Sequence, residues 1–240
     1  MKHYIKALVK VTSQIDYAED FRKGKLYMNE LRYFTKCEQQ EMEDKTEGLA
    51  GTIFCQDFQI NMVNDEELCR PVFCMYELLD TKYGNTSLVS ICEKMKSFGN
   101  YAVIVTNVGA FLERIQTSNL EFSPVKYQDV ELHNIDTLIP YNPIYRKLKY
   151  FKYQQEFRIV EPKIHLIKNS AEKYNSYSTL DADHYEAIIP GGLEDITSEV
   201  IPVDQLLYPN RYPIQLSVDW DKVQVNQYIR YDNPILNGRR

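Results

Sequence analysis

Phe151-Lys152-Tyr153-Gln154-Gln155-Glu156-Phe157-Arg158-Ile159-Val160 is the stretch from which the fold is read. Its aromatic and β-branched end predicts a strand. The strand's period of two sends Gln154, Glu156 and Arg158 to one face and Gln155, Phe157 and Ile159 to the other. A glutamine and a glutamate then stand side by side at the lip of a sheet. Just upstream, Tyr145-Arg146-Lys147-Leu148-Lys149-Tyr150-Phe151-Lys152-Tyr153 interleaves rings with cations.

Read outward, the same periodicity predicts strands at Tyr4 to Val11, Lys25 to Asn29, Thr52 to Met62, Val72 to Leu79 and Tyr101 to Thr106. Further strands are expected at Val125 to Leu132, Phe157 to Val160, Ile164 to Ile167, Tyr185 to Ile189 and Val200 to Pro202. Helices fit Ile15 to Lys23, with Ser13 as N-cap and Gly24 as left-handed stop, and Ala110 to Gln116. Leu88 to Lys96 has helical character, and the polar Cys37 to Lys45 reads as a loop or frayed helix. The fold class is α+β with more strand than helix. No tether or repeat divides the chain, so one domain over residues 1–240 is expected.

At 44% hydrophobic and 26% charged residues, the composition is that of a globular core rather than a disordered tail. Its apolar runs fall far short of the ~20 residues that span a bilayer, and Met1-Lys2-His3-Tyr4 opens no signal peptide. A soluble cytoplasmic protein with no membrane partner is expected. Five cysteines without a Cys-x-x-Cys pair and four scattered histidines predict reduced thiols and no metal site. The net charge of −6 repels polyanions overall, but Met1 to Lys36 and Tyr141 to Arg158 are locally basic. Phosphate-loop, dinucleotide and Gly-x-Ser-x-Gly patterns are absent, and Asp65-Glu66-Glu67 lacks the partner motif of a metal nuclease.

Gln154-x-Glu156 is a spacing that a glycosyl-transfer site on NAD uses. In such a site a carboxylate can hold the ribose 2′-hydroxyl and stabilise the oxocarbenium-like centre as nicotinamide leaves, and the neighbouring side chain can position the acceptor. That chemistry needs no metal. The competing reading of Glu156 and Arg158 is a same-face ion pair on an exposed strand, worth ~0–1 kcal/mol. The ring-and-cation run, with Arg146, Lys149, Tyr150, Lys152 and Tyr153, suits single-stranded nucleic acid, because bases stack on rings while cations neutralise phosphates. Its alternative is an amphipathic edge whose rings face the core.

The late Gln-x-Glu resembles the ADP-ribosyltransferase-like superfamily. The chain is also similar to a group of bacterial proteins with a lysine-bearing first strand, a short helix ending in Gly, and a Leu-Tyr-Met-Asn strand (Leu26-Tyr27-Met28-Asn29). In that group an aromatic pair follows (Tyr33-Phe34), then Asp-x-x-Glu-Gly (Asp44 to Gly48) and a late Glu-Phe-Arg (Glu156-Phe157-Arg158). The resemblance runs over roughly residues 4 to 160. It implies two packed β-sheets with flanking short helices and a cleft for NAD, the substrate, between them. Glu156 would be the catalytic carboxylate and Gln154 the acceptor-facing residue. Tyr27 and Asn29 would lie in the strand under the nicotinamide, with Tyr27 or Tyr33 stacking on the ring.

The first strand lacks the arginine of one class of relatives and the second lacks its Ser-Thr-Ser, while His3-Tyr4 is an imperfect match to the histidine class. Lys6 or Lys10 is left to meet the NAD pyrophosphate. Some relatives look like toxins of bacterial phage defence that modify RNA and are held off by an antitoxin. The expectation is an NAD-dependent transferase acting on RNA first and protein second. The alternative is a non-catalytic interaction module on a degenerate transferase fold. Tyr27, Tyr33 and Phe34 are otherwise core or rim aromatics, Lys6 is otherwise solvent-facing, and Asp44 and Glu47 either cap a loop or order a pocket wall.

Overall fold

Pro71–Thr81 is a nearly unbroken apolar run, the pattern of a strand covered on both faces, and the rest of the sheet is arranged around it. The computed structural model describes residues 3–37, 42–54, 59–81, 89–128, 142–163, 184–212, 214, 216 and 228–229. Its strands are β1 (His3–Thr12), β2 (Lys25–Glu30), β3 (Leu49–Phe54), β4 (Gln59–Val63), β5 (Pro71–Thr81), β6 (Tyr101–Val105) and β7 (Glu121–Pro124). They continue with β8 (Lys126–Gln128), β9 (Arg146–Leu148), β10 (Glu156–Val160), β11 (His184–Ile188), β12 (Ile201–Pro202) and β13 (Tyr228–Ile229). The longer helices are α1 (Ile15–Arg22) and, after the short α2 (Asp65–Leu68), α3 (Val108–Thr117). The α+β class holds.

The sheet forks. Val72 pairs with Asn29 of β2 and with Val160 of β10, while Tyr76 pairs with Val9 of β1 and with Glu156 of β10. A strand has two edges, so β1 and β2 both lie on the edge opposite β10. Between their contacts, Phe73, Cys74 and Met75 have ladder partners on the β10 edge alone among the described residues. Beyond Val9, β1 leaves β5 and runs with β6, while most of β2 runs with β11. Where two packed sheets were expected, one nine-stranded sheet divides into two arms, with the β3–β4 and β8–β9 ribbons separate.

A bulge in β1 sets the phase of this wedge. The register against β5 slips between Ile5 and Ala7, so Lys6 is the extra residue. Ile5 and Leu8 therefore pack with α1 and α3 against one face, while Ala7 and Val9 pack with Leu206 and Met95 against the other. Lys10 follows Leu8 in phase and Lys6 does not.

Several local expectations are corrected. Thr52 to Met62 is not one strand but the β3–β4 hairpin, whose tip falls outside the described residues. The helix expected over Leu88 to Lys96 is a 3-10 turn at Glu93–Phe98. The N-cap position of α1 is Gln14 rather than Ser13, with no side-chain cap, and the Thr12 hydroxyl donates to the Gln14 carbonyl oxygen at 2.8 Å. Gly24 does end the helix, at φ 88°. The strand expected at Ile164 to Ile167, the end of Val125 to Leu132, Cys55, His133 and His165 lie outside the described residues. None of the four described cysteines is in a disulfide, and no described helix is long and apolar enough to cross a membrane.

Candidate functional site

The fork opens a cleft of two connected chambers. The inner one, of about 140 Å³, reaches from Lys10 and Cys74 to Lys147, Gln154 and Glu156. The outer one, of about 810 Å³, extends past Tyr33 to Tyr17, His184 and Glu186. Lys10, Tyr27, Asn29, Phe73 and Phe98 line both. The inner chamber is mainly apolar with a few convergent polar groups, as small-molecule sites are, whereas the outer one is lined largely by polar side chains such as Asp20, Lys25, Asn29 and Glu186.

Lys10 stands at the junction. Its ammonium donates to the Cys74 carbonyl oxygen at 3.0 Å, on the part of β5 that is paired with β10 alone among the described residues, and lies 3.9 Å from the centre of the Phe73 ring. Burial pushes its pKa below the ordinary lysine value, an effect that Cys74 and Glu156 partly offset. Lys6 is buried and lines neither chamber. The bulge that takes it out of phase is the reason.

The inner end is built on a buried quartet of Glu47, Lys147, Glu156 and Arg158. Arg158 Nε donates to Glu156 Oε1 at 2.6 Å, and its two Nη groups meet Glu47 at 3.0 and 2.5 Å. Lys147 Nζ lies 2.9 Å from Glu156 Oε2 and 3.3 Å from Glu47 Oε1, and donates to Gln154 Oε1 at 2.8 Å. Burial alone would raise both carboxyls. For Glu156 it is outweighed by Arg158 and Lys147, which hold the group well below the usual carboxylate range. For Glu47 burial wins and the pKa is raised. Burial and the charge of Glu156 push the Cys74 thiol up, so it is not a thiolate. The Tyr127 hydroxyl accepts the Glu156 backbone N–H at 2.7 Å and fixes the start of β10.

Gln154 is not on the strand. It ends a 3-10 turn, Lys149–Gln154, and Gln155 follows in the left-handed region at φ 37°. The chain reverses its helical sense there, so Gln154 and Glu156 are brought together by Lys147 rather than by a shared strand face. Glu156 and Arg158 do share a face, but buried inside the protein rather than at the lip of an exposed sheet. In the same turn Phe151 and Gln154 point inward while Lys149, Tyr150 and Lys152 are exposed and Tyr153 is half-buried. Arg146 is buried in β9 with both Nη groups lacking a hydrogen bond among the described residues, and burial lowers its pKa to about 10. It is no part of the exposed surface expected of it.

At the outer mouth Tyr17, Tyr27 and His184 form a stack. Tyr27 lies 6.1 Å from Tyr17 and 4.6 Å from His184 between ring centres, nearly parallel to both. Tyr33 lines the same chamber. Lys10, Tyr27, Asn29, Tyr33, Gln154 and Glu156 thus meet along one cleft. Lys147, Tyr127 and His184 were not singled out as site residues by their spacing, and Glu47 was weighed only as a loop cap or part of a pocket wall. No helical phase carries from Phe151 to Lys147, because Lys147 lies on β9 and the 3-10 turn begins at Lys149.

No family model, no curated protein and no solved structure matches this chain. Among the described residues no group of three or more His, Cys, Asp or Glu is placed to hold a metal.

Proposed function

We propose that the chain binds NAD in the forked cleft and transfers ADP-ribose to a macromolecular acceptor, RNA before protein. The observation that carries this reading is the convergence of Glu156, Gln154 and Lys147 at the closed end of a cleft whose walls offer Lys10 and the rings of Tyr27 and Tyr33. The outer chamber falls within the range of small-molecule sites, roughly 300–1,000 Å³. The bond between the ribose C1″ and the nicotinamide nitrogen breaks with its electron pair leaving on nicotinamide, and an acceptor heteroatom bonds to C1″ and releases its proton to water. Glu156 is held as an anion and serves as an electrostatic stabiliser of the cationic centre rather than as a proton acceptor. Gln154 orients the acceptor, and Lys10 meets the pyrophosphate. The resemblance to phage-defence toxins supplies a setting, an RNA-modifying effector restrained by an antitoxin.

One observation favours a second reading. Both Glu156 oxygens are already bonded within a charge-balanced quartet, as they would be in a scaffold that supports a non-catalytic binding module. Labelled NAD incubated with separate pools of RNA, DNA and protein decides between the two. The transferase reading expects label in RNA and its loss by several orders of magnitude in Glu156→Gln, a variant whose folding is checked by circular dichroism because it leaves Lys147 and Arg158 short of a buried anion. Full activity of that variant removes Glu156. Absence of any thermal shift at millimolar NAD selects the module, since saturation to about 100 times Kd adds about 2.7 kcal/mol.

A further inference from the structure

The two 3-10 turns Glu93–Phe98 and Lys149–Gln154 meet beside the inner chamber, to which they contribute Met95, Phe98 and Gln154. Their outward residues make a different surface. Tyr150 is 68% exposed, more than any other large apolar or aromatic side chain described. Lys94 Nζ lies 4.5 Å from the Tyr153 ring centre and 5.6 Å from that of Tyr150, so one cation from the first turn spans two rings of the second. Lys149 and Lys152 are exposed on the same turn as the rings. Lys96 is paired with Asp204 at 2.9 Å, and Glu93 is the one acidic residue on the two turns.

A single exposed tyrosine is ordinary. Two rings set among three lysines, on turns whose other side walls a cavity, repeat the alternation of base and phosphate in an unpaired polynucleotide. An acidic peptide would use the lysines and leave the rings idle, and a duplex keeps its bases stacked away from them. Unpaired polynucleotide in cells is chiefly RNA, which proteins bind by stacking splayed bases on aromatic side chains. We infer that this face docks single-stranded RNA, with bases on Tyr150 and Tyr153 and phosphates along Lys94, Lys149 and Lys152. The inference rests on the transferase reading for its purpose, which is to hold an acceptor strand beside the cleft, but docking is measurable without NAD.

The test is fluorescence anisotropy of the full chain with a labelled unstructured RNA of about 12 nucleotides, a length within the footprint of single-strand binders. Three phosphate contacts predict a loss of about twentyfold in affinity from about 50 to about 200 mM salt, and Lys94→Ala lowers that salt slope by about 0.7. Tyr150→Ala weakens binding about tenfold by removing a stacking surface. Lys23→Ala, at an exposed lysine just after α1, leaves binding unchanged. No wild-type binding at low salt, an unaltered Tyr150→Ala, or an equal loss in Lys23→Ala overturns the proposal. Equally tight binding of DNA of the same sequence, or of polyglutamate, overturns the assignment to RNA. Failure of the transferase reading would appear in NAD consumption by wild type and Glu156→Gln and would leave these affinities as they are.

Discussion

Arg158 holds Glu47 with both prongs of its guanidinium, at 3.0 and 2.5 Å, across 111 residues of chain. The third nitrogen of the same side chain takes Glu156, so one cation ties the segment before β3 to the start of β10. Buried ion pairs are weak evidence of net stability, but removing one partner leaves a stranded charge at a cost of about 3–5 kcal/mol. Arg158→Met is therefore expected to lose about that much in urea unfolding. In a double-mutant cycle, Glu47→Ala and Arg158→Ala should be coupled by about 1 kcal/mol or more. Strict additivity would mean that the two side chains do not meet in solution.

Lys147 acts on the proposed reaction through Glu156. With the ammonium gone, burial gains on Arg158 alone and the Glu156 pKa rises. Wild-type NAD cleavage should therefore hold steady from neutral pH down to about pH 5, as far as Glu156 is concerned. Lys147→Met should raise the pH at which Glu156 takes up its proton, read directly from the carboxyl chemical shift of labelled glutamate, and a Glu156 titration unchanged from wild type would show that Lys147 does not set its charge state.

The strands were legible where apolar and β-branched residues run without interruption, as at Tyr101–Val105, or alternate against a known turn, as after Gly24. The Asp44-to-Gly48 and Glu156-Phe157-Arg158 segments were recognisable as pieces, but their bond was not, because a contact over so long a separation leaves no local period. The bulge at Lys6 was equally silent: one inserted residue changes the face of everything before it, and nothing in Tyr4 to Val11 marks where it falls. Gln154 was misplaced onto the strand because the left-handed turn at Gln155 uses a glutamine where a glycine or asparagine would have announced it.

Lys10→Met should separate the two roles open to this side chain. The methionine keeps an apolar stem against Phe73 but cannot donate to the Cys74 carbonyl oxygen or meet a phosphate. Binding of ADP-ribose is expected to weaken about tenfold or more, the scale of a lost hydrogen bond to a charged group, while nicotinamide binding changes little. Calorimetry with each fragment measures this, and equal losses for both would make Lys10 a prop of the fork rather than a phosphate ligand.

Glu77 is a buried acid that the proposed chemistry does not use. Its Oε2 has no hydrogen-bond partner among the described residues, and burial, partly offset by Lys126, pushes its pKa up to about 8. Unfolding releases the group to an ordinary carboxyl value of about 4.3, so between there and about pH 8 the native state holds a proton that the unfolded chain gives up. Stability therefore falls by about 1.4 kcal/mol per pH unit over that window from this group alone and levels off above it. Glu77→Gln keeps the shape and cannot ionise. Urea unfolding should find the variant little different from wild type near pH 4.5, more stable by up to about 3 kcal/mol at pH 7, and by somewhat more at pH 8. A difference that stays constant over that range would put the carboxyl in water. Glu156 opposes this trend, because its lowered pKa gives stability that is present above the ordinary carboxylate value and is lost as pH falls through the native one. Taken by themselves, the two carboxyls favour the native state most on the acid side of neutrality.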